Sequence, residues 1–166
     1  RGFDGYAPHT RPAGDPAYVR VGSGWAYVCP LAGLADRGIV GHSAGRTRDA
    51  SLVLGAFATL DFPPADVRVF HTDRGGEFDN TRIDEPPDVF GVKRSLSRKG
   101  NPCDNAVVES TNRLLKKELV YRNHCTTIER LRRDPDDYVW WSDNQRLHST
   151  LGCRSPKEFT EQGLVL

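Results

Sequence analysis

Apolar positions first take on a regular pattern at Tyr18, Val19 and Val21, stop at Gly22 to Gly24, and resume through WAYVCPL (25–31) and RGIVGHSAG (37–45). Short β-rich runs separated by glycine turns predict an antiparallel meander of three strands. The period then changes. From Arg48 to Leu60, Val53, Phe57 and Leu60 recur at i, i+4 and i+7, which predicts a helix capped by Thr47. VRVFHTD (67–73) follows as an apolar strand, so this helix is expected to be the crossover to a parallel strand. Between Asp79 and Phe90, Pro86 and Pro87 leave little room for a helix before a further strand at VKRSL (92–96).

The strongest helical pattern runs from Asn105 to Tyr121. Val107, Val108, Leu114, Leu115 and Leu119 make its buried stripe, and Asn105, Glu109, Asn112, Arg113 and Lys116 share the other face. Thr126 and Glu129 then form a capping box for TIERLRR (127–133), which Asp134-Pro135 is expected to interrupt before Tyr138, Trp140 and Trp141 resume it. Ser155 to Glu158 is a second capping box with Pro156 at the first helical position. Residues 1–14 carry no period and read as an unstructured lead-in. Residues 15–166 read as one α/β domain with a C-terminal helical extension.

Composition adds little until charge is mapped along the chain. With 166 residues, 37% hydrophobic and 27% charged, the chain suits a single globular core, and no apolar run has the length a membrane helix needs. A start at Arg1 and the absence of Met read as a piece of a longer reading frame, with an N-terminal domain expected upstream. Cys29, Cys103, Cys125 and Cys153 lack the paired spacing of a zinc site and read as free thiols of a cytoplasmic protein. From Leu60 to Phe90 eight acids face three arginines, a net −5, whereas Val92 to Arg133 carries a net +7. The first kind of field suits a metal and the second a nucleic-acid backbone.

Three stretches give that contrast a meaning: HTDRGGEF (71–78), SLSRKGNPCDNAVVESTNRLLKKELV (95–120) and QRLHSTLGCRSPKEF (145–159). Together they resemble bacterial insertion-sequence transposases whose catalytic core is similar to that of retroviral integrases. The resemblance implies a ribonuclease-H-like fold, a mixed five-stranded sheet flanked by helices, with a catalytic Asp, Asp, Glu triad. Asp73 matches the second carboxylate and Glu109 the third, with 35 residues between them. GDPAYV (14–19) matches the strand of the first and nominates Asp15; Asp4 and Asp36 compete, although Asp36 fits a turn between strands.

Phosphodiester transfer explains why such a core needs three acids. Attacking and leaving oxygens both carry charge, and two Mg²⁺ (or Mn²⁺) ions roughly 3.5–4 Å apart stabilise both. The resemblance implies that Asp15 bridges the ions while Asp73 and Glu109 hold one each. It also implies supporting roles for His71, Arg74 and Asn105, with Ser110 beside the glutamate and Gly75 and Gly76 freeing the backbone after Asp73. By the same resemblance Arg113 and Lys116 stand where related integrases carry basic residues that contact DNA, and Arg98, Lys99 and Lys117 extend that expected DNA-binding stripe. Arg146 and His148 fall in an RLHS segment whose role stays open between structure and DNA.

The implied activity is cleavage of transposon ends and joining to target DNA, by a homo-oligomer associated with the nucleoid. The alternatives are a ribonuclease-H-like nuclease and a truncated, non-catalytic DNA-binding remnant. The prolines give the remnant its weight. Pro16 and Pro30 fall in expected interior strands, Pro135 in a helix, and Pro86 and Pro87 in a segment that needs structure.

Overall fold

A computed structural model describes residues 7–72, 91–96, 106–123 and 126–166. Labels follow the described elements. The strands are β1 (Pro12–Gly14), β2 (Ala17–Val21), β3 (Gly24–Gly33), β4 (Ile39–Gly45), β5 (Val69–Thr72) and β6 (Lys93–Leu96). The helices are α1 (Ala50–Phe57), α2 (Ala106–Leu115), α3 (Ile128–Asn144) and α4 (Pro156–Glu161).

The meander expected from the alternating pattern is present, with β2 and β4 both antiparallel to β3. Its first turn is tight because Gly22 takes φ +57 and a Cβ there would stand 2.9 Å from the carbonyl oxygen of Thr126. The lead-in is not wholly unstructured. Pro12–Gly14 forms β1, antiparallel to β3 and parallel to β5. Three residues are too few to show a period, and their burial comes entirely from neighbours brought in by the fold.

β1 and β2 keep one register against β3: Gly14 pairs with Leu31 and Ala17 with Val28. They are therefore one long strand interrupted at Asp15-Pro16, and the six segments make a mixed five-stranded sheet in the order β4, β3, β1/β2, β5, β6. The shared register sets Pro30 across from the interruption, so Pro16 and Pro30 disturb the ladder at the same place. Pro30 also faces His42 on β4. Two expected defects in separate strands thus collapse into one.

The crossover is as expected. α1 lies between β4 and β5, and β5 runs parallel to both β1 and β6. Its cap is Asp49 rather than Thr47, with the Asp49 side chain accepting from the Leu52 N–H. Gly41 lets α1 approach β4, since a Cβ there would fall 2.5 Å from the Ala56 carbonyl.

The sheet divides the core in two. Leu52, Val53, Ala56 and Phe57 of α1 pack on Cys29, Leu31 and Phe70 on one face. On the other, Val19, Ala26 and Val28 meet Leu115, Leu119, Ile128, Leu131 and Tyr138. Alternate β3 residues serve opposite faces, the period-two rule expressed in packing.

The long helix of the sequence pattern is present but not uniform. α2 passes into a π-helical turn over Lys116–Val120 and a last α turn at Tyr121–Asn123. Val108, Leu115 and Leu119 are buried, while Asn112, expected on the open face, is also buried. α3 is capped by Thr127, whose side chain accepts from the Arg130 N–H, and not by Thr126. It runs unbroken through Pro135, which is buried inside it. Packing of Ile128, Leu131 and Tyr138 against the sheet holds the helix across the missing N–H. α4 has the capping box its sequence predicts, with Ser155 and Glu158 exchanging bonds. Pro86, Pro87 and the segment around them lie outside the described residues.

Candidate catalytic site

Asp15 stands at the interruption between β1 and β2, beside the sheet's parallel half. There Ala13 pairs with His71 of β5. Asp15 follows Ala13 by two positions, as Asp73 follows His71 in sequence; Asp73 itself lies outside the described residues. So do Asp4, Arg74, Gly75, Gly76, Arg98, Lys99 and Asn105. Asp36, the described competitor for the first carboxylate, is a buried turn residue between β3 and β4. Its carboxylate accepts from the Gly38 N–H at 3.1 Å and the Thr160 hydroxyl at 3.2 Å.

α2 is fastened to the Asp15 segment by a side chain that the helical pattern places outward. Asn112 Nδ2 donates to the Asp15 carbonyl at 3.0 Å. One turn earlier Glu109 is exposed, and the neighbouring Val108 is buried against Ala13 and Leu34. Val108 and Asn112 therefore fix that turn of α2 against β1 and the start of the interruption. The burial of Asn112 follows from this bond: a buried amide needs a partner, and the strand interruption exposes a carbonyl to supply one.

A second residue at the site was not legible as such. Arg48, just before α1, brings Nη2 to 3.2 Å from Asp15 Oδ1. Both side chains are about a quarter exposed, 25% and 26%. Behind them Cys29 is fully buried, and its thiol is pushed up to about 12, by burial first and then by the negative charge of Asp15. Cys29 is thus a packed, protonated thiol and not a ligand.

Asp15 and Glu109 are hard oxygen donors on segments joined through Asn112, the donor class that Mg²⁺ prefers. Asp15 already attracts a cation, the Arg48 guanidinium. By donor class alone the described acids suit a divalent metal. Among the described residues no group of three or more His, Cys, Asp or Glu is gathered as a metal site.

The basic residues separate into classes. Arg113 and Lys117 are exposed on α2 and its π-helical continuation. Lys116 is half-buried and lies over the Tyr18 ring, 4.7 Å from its centroid. Arg146 is spent on structure. Its guanidinium holds Glu118 through three contacts of 3.0 to 3.3 Å, and Tyr138 donates to the same carboxylate at 2.9 Å. Burial pulls the Glu118 carboxyl up, but the bonds from Arg146 and Tyr138 outweigh it and leave its pKa below the usual glutamate value. His148 is half-buried beside this cluster, and burial followed by the Arg146 charge lowers its pKa. The RLHS segment is thus a brace between α2's continuation and α3.

Comparison with known proteins bears on the fold that carries these residues. Residues 90–156 match the family model of the integrase core domain. The chain is 32% identical over 160 residues to the transposase for insertion sequence element IS904 of Lactococcus lactis subsp. lactis (strain IL1403), covering 95% of this chain and 63% of that protein. It is also 32% identical to transposase InsF for insertion sequence IS3A of Escherichia coli (strain K12), covering 98% of this chain and 58% of that protein. The chain therefore spans about three fifths of the length of these curated relatives.

Among solved structures, a chain of the simian T-cell lymphotropic virus intasome in complex with PP2A regulatory subunit B56 gamma superposes with a TM-score of 0.74 at 13% identity. That match covers 96% of this chain and 55% of the other. The HTLV-2 integrase catalytic core domain in complex with magnesium (dimeric form) gives 0.67 at 14% identity, covering 93% and 98%. These similarities establish the ribonuclease-H-like integrase fold expected from the motifs. The family-model match over residues 90–156 and the 32% identity over nearly the whole chain make it similar to the integrase cores of insertion-sequence transposases.

Proposed function

We propose that this chain is the catalytic core of a transposase that cuts DNA at transposon ends and joins the freed 3′-hydroxyls to target DNA. The observation that carries the reading is the Asn112 bond to the Asp15 carbonyl, which fastens the helix bearing Glu109 to the strand bearing Asp15. Parallel pairing of β1 with β5 supports it from the other edge, because Asp73 follows directly on β5 in sequence.

Asp15, Asp73 and Glu109 would hold two Mg²⁺ or Mn²⁺ ions, which when bound polarise the scissile phosphate and stabilise charge on the attacking and leaving oxygens. The chain's own part is positional. Asn112 fixes Glu109's helix, and Arg48 balances the Asp15 charge until another cation takes its place. Arg98, Lys99, Arg113, Lys116 and Lys117 would bind the DNA backbone, with His71, Arg74 and Asn105 supporting the acids. A homo-oligomer on DNA fits a reaction at two ends, as does action at the nucleoid. Among the described residues no helix is long and apolar enough to cross a membrane.

The test is nicking and strand transfer on a duplex transposon end in Mg²⁺ by the parent chain and by Asp15→Asn, Asp73→Asn and Glu109→Gln. Each substitution should lower the rate by about a hundredfold or more, the several kcal/mol that metal-assisted charge stabilisation supplies. Equal nicking by all four proteins would refute the triad.

One observation favours a second reading. The Arg48–Asp15 ion pair neutralises the first acid, as a DNA-binding remnant without catalysis would allow. Such a chain would bind DNA and leave it uncut in Mg²⁺ and Mn²⁺ alike.

A further inference from the structure

Beside the candidate site the β2–β3 hairpin carries an exposed ladder of rings and cations. Tyr18 and Trp25 are 61% and 55% exposed, unusually open for large aromatics in one sheet. Their rings meet edge to face at 5.4 Å between centroids. Lys116 covers one end of the pair, 4.7 Å from the Tyr18 centroid, and Arg20 the other, 5.3 Å from the Trp25 centroid. The order along the surface is thus Lys116, Tyr18, Trp25, Arg20.

Strand register makes this arrangement fixed. Arg20 and Trp25 are a cross-strand pair, and Tyr18 lies diagonal to Trp25 on the same face. Val19 between them is buried, so the backbone cannot turn the ladder inward without emptying the core. The π-helical turn beginning at Lys116 delivers the cation at the near end. The ladder begins three residues along the strand from Asp15 and seven along the helix from Glu109, about 10 Å from each by the rise of strand and helix.

A pair of exposed aromatic rings flanked by cations matches one chemistry closely. Unpaired bases stack on rings in any sequence, while cations at the two ends of the ring pair meet the backbone phosphates. Stacked bases inside an intact duplex offer no free faces to such rings. We propose that Tyr18 and Trp25, flanked by Lys116 and Arg20, form a platform that stacks unpaired bases of a DNA end and holds the strand open next to the Asp15–Glu109 site. The assignment of the occupant to a DNA end rests on the proposed function; the stacking chemistry stands on the ladder itself.

The experiment measures binding of the chain to labelled DNA by fluorescence anisotropy. Its probes are a blunt duplex, the same duplex with a short unpaired 3′ tail, and that duplex with an RNA tail. A fluorescent purine analogue in the tail reports stacking through its quenching. The parent should prefer the DNA-tailed duplex and quench the analogue. Tyr18→Ala and Trp25→Ala should each weaken tailed-duplex binding by about tenfold and leave blunt-duplex binding within about twofold. Tyr18→Phe and Trp25→Phe should keep the preference, and the exposure of both rings predicts unchanged thermal unfolding for all four variants.

Equal binding of blunt and tailed duplexes, alanine variants that keep both preference and quenching, or a stronger RNA-tail preference would each overturn the platform. Nicking is read separately. Glu109-dependent nicking together with a tail preference indifferent to Tyr18 and Trp25 would sink the platform and leave the transposase reading standing. A ring-dependent tail preference without Glu109-dependent nicking would do the reverse.

Discussion

Two acid–arginine pairs of nearly equal exposure are put to different uses. Asp15 and Arg48 meet at 3.2 Å with side chains 26% and 25% exposed, and Glu118 and Arg146 at 3.0 Å with side chains 20% and 19% exposed. The second is a brace: a forked guanidinium, joined by the Tyr138 hydroxyl, ties α2's continuation to the chain leaving α3. The first stands at an interrupted strand, beside the helix bearing Glu109. Exposure alone does not distinguish a structural ion pair from a pair at a candidate site. The element that carries each acid does.

The largest expected effect falls on the brace. Arg146→Ala leaves a half-buried carboxylate and phenol without their cation, and should cost about 2–3 kcal/mol. Thermal unfolding should then shift down by about 5–10 °C. A shift no larger than that of an exposed control such as Lys117→Ala would show that the pair is not a brace.

Asn112→Ala should cost about 2 kcal/mol through loss of a buried hydrogen bond to the Asp15 carbonyl, and should also lower nicking by about tenfold with DNA affinity unchanged. Loss of stability with the nicking rate per folded molecule intact would reduce Asn112 to a packing contact.

Asp143 supplies a contrast in pH. It accepts from the Ile39 N–H at 2.9 Å, yet burial pushes its carboxyl from 3.8 to about 7, with nearby Asp36 and Asp61 adding to the rise. The folded chain therefore binds the proton more tightly than the unfolded one. This contribution to stability is complete below about pH 4 and is lost as pH rises to about 7. Glu118 runs the other way: its folded pKa is lowered, so its contribution is present above the usual glutamate value and is lost on acidification through the folded one. Asp143→Asn should stabilise the chain by about 1–2 kcal/mol at pH 8 and flatten its stability between pH 4 and 7. Denaturant unfolding across that range checks both, and an unchanged slope would exclude Asp143 as its source.

The smallest effect concerns the other pair. Arg48→Ala removes a competing positive charge from Asp15, so the Mg²⁺ concentration for half-maximal nicking should fall by about threefold to tenfold. A rise instead would mean that Arg48 holds Asp15 in place for the metal.

The fold was legible wherever a period could be counted. The hairpin strands, the crossover helix and the long helix bearing Glu109 all follow from spacing at two or three to four residues. β1 was not, because three residues have no period, and the caps of α1 and α3 lay one or two positions from those expected. Pro135 misled because local helix propensity was judged without the core that holds α3 together. The candidate acids were found through their flanking words. Arg48 and Asn112 were not read as site residues, since neither stands near Asp15 in sequence and only the packed chain brings them there.

By itself, then, the sequence determined the alternation of strands and helices, the resemblance to an integrase core, and the identities of the nominated carboxylates. These depend on periodicity and on short contiguous words, both of which are local. Tertiary structure alone decided that Pro16 and Pro30 disturb the ladder at one place, that Asn112 joins the Glu109 helix to Asp15, and that Arg146 is spent on Glu118. It also set Lys116 over Tyr18. Each of these is a contact between residues distant in sequence, set by strand register and helix docking, which no local pattern encodes.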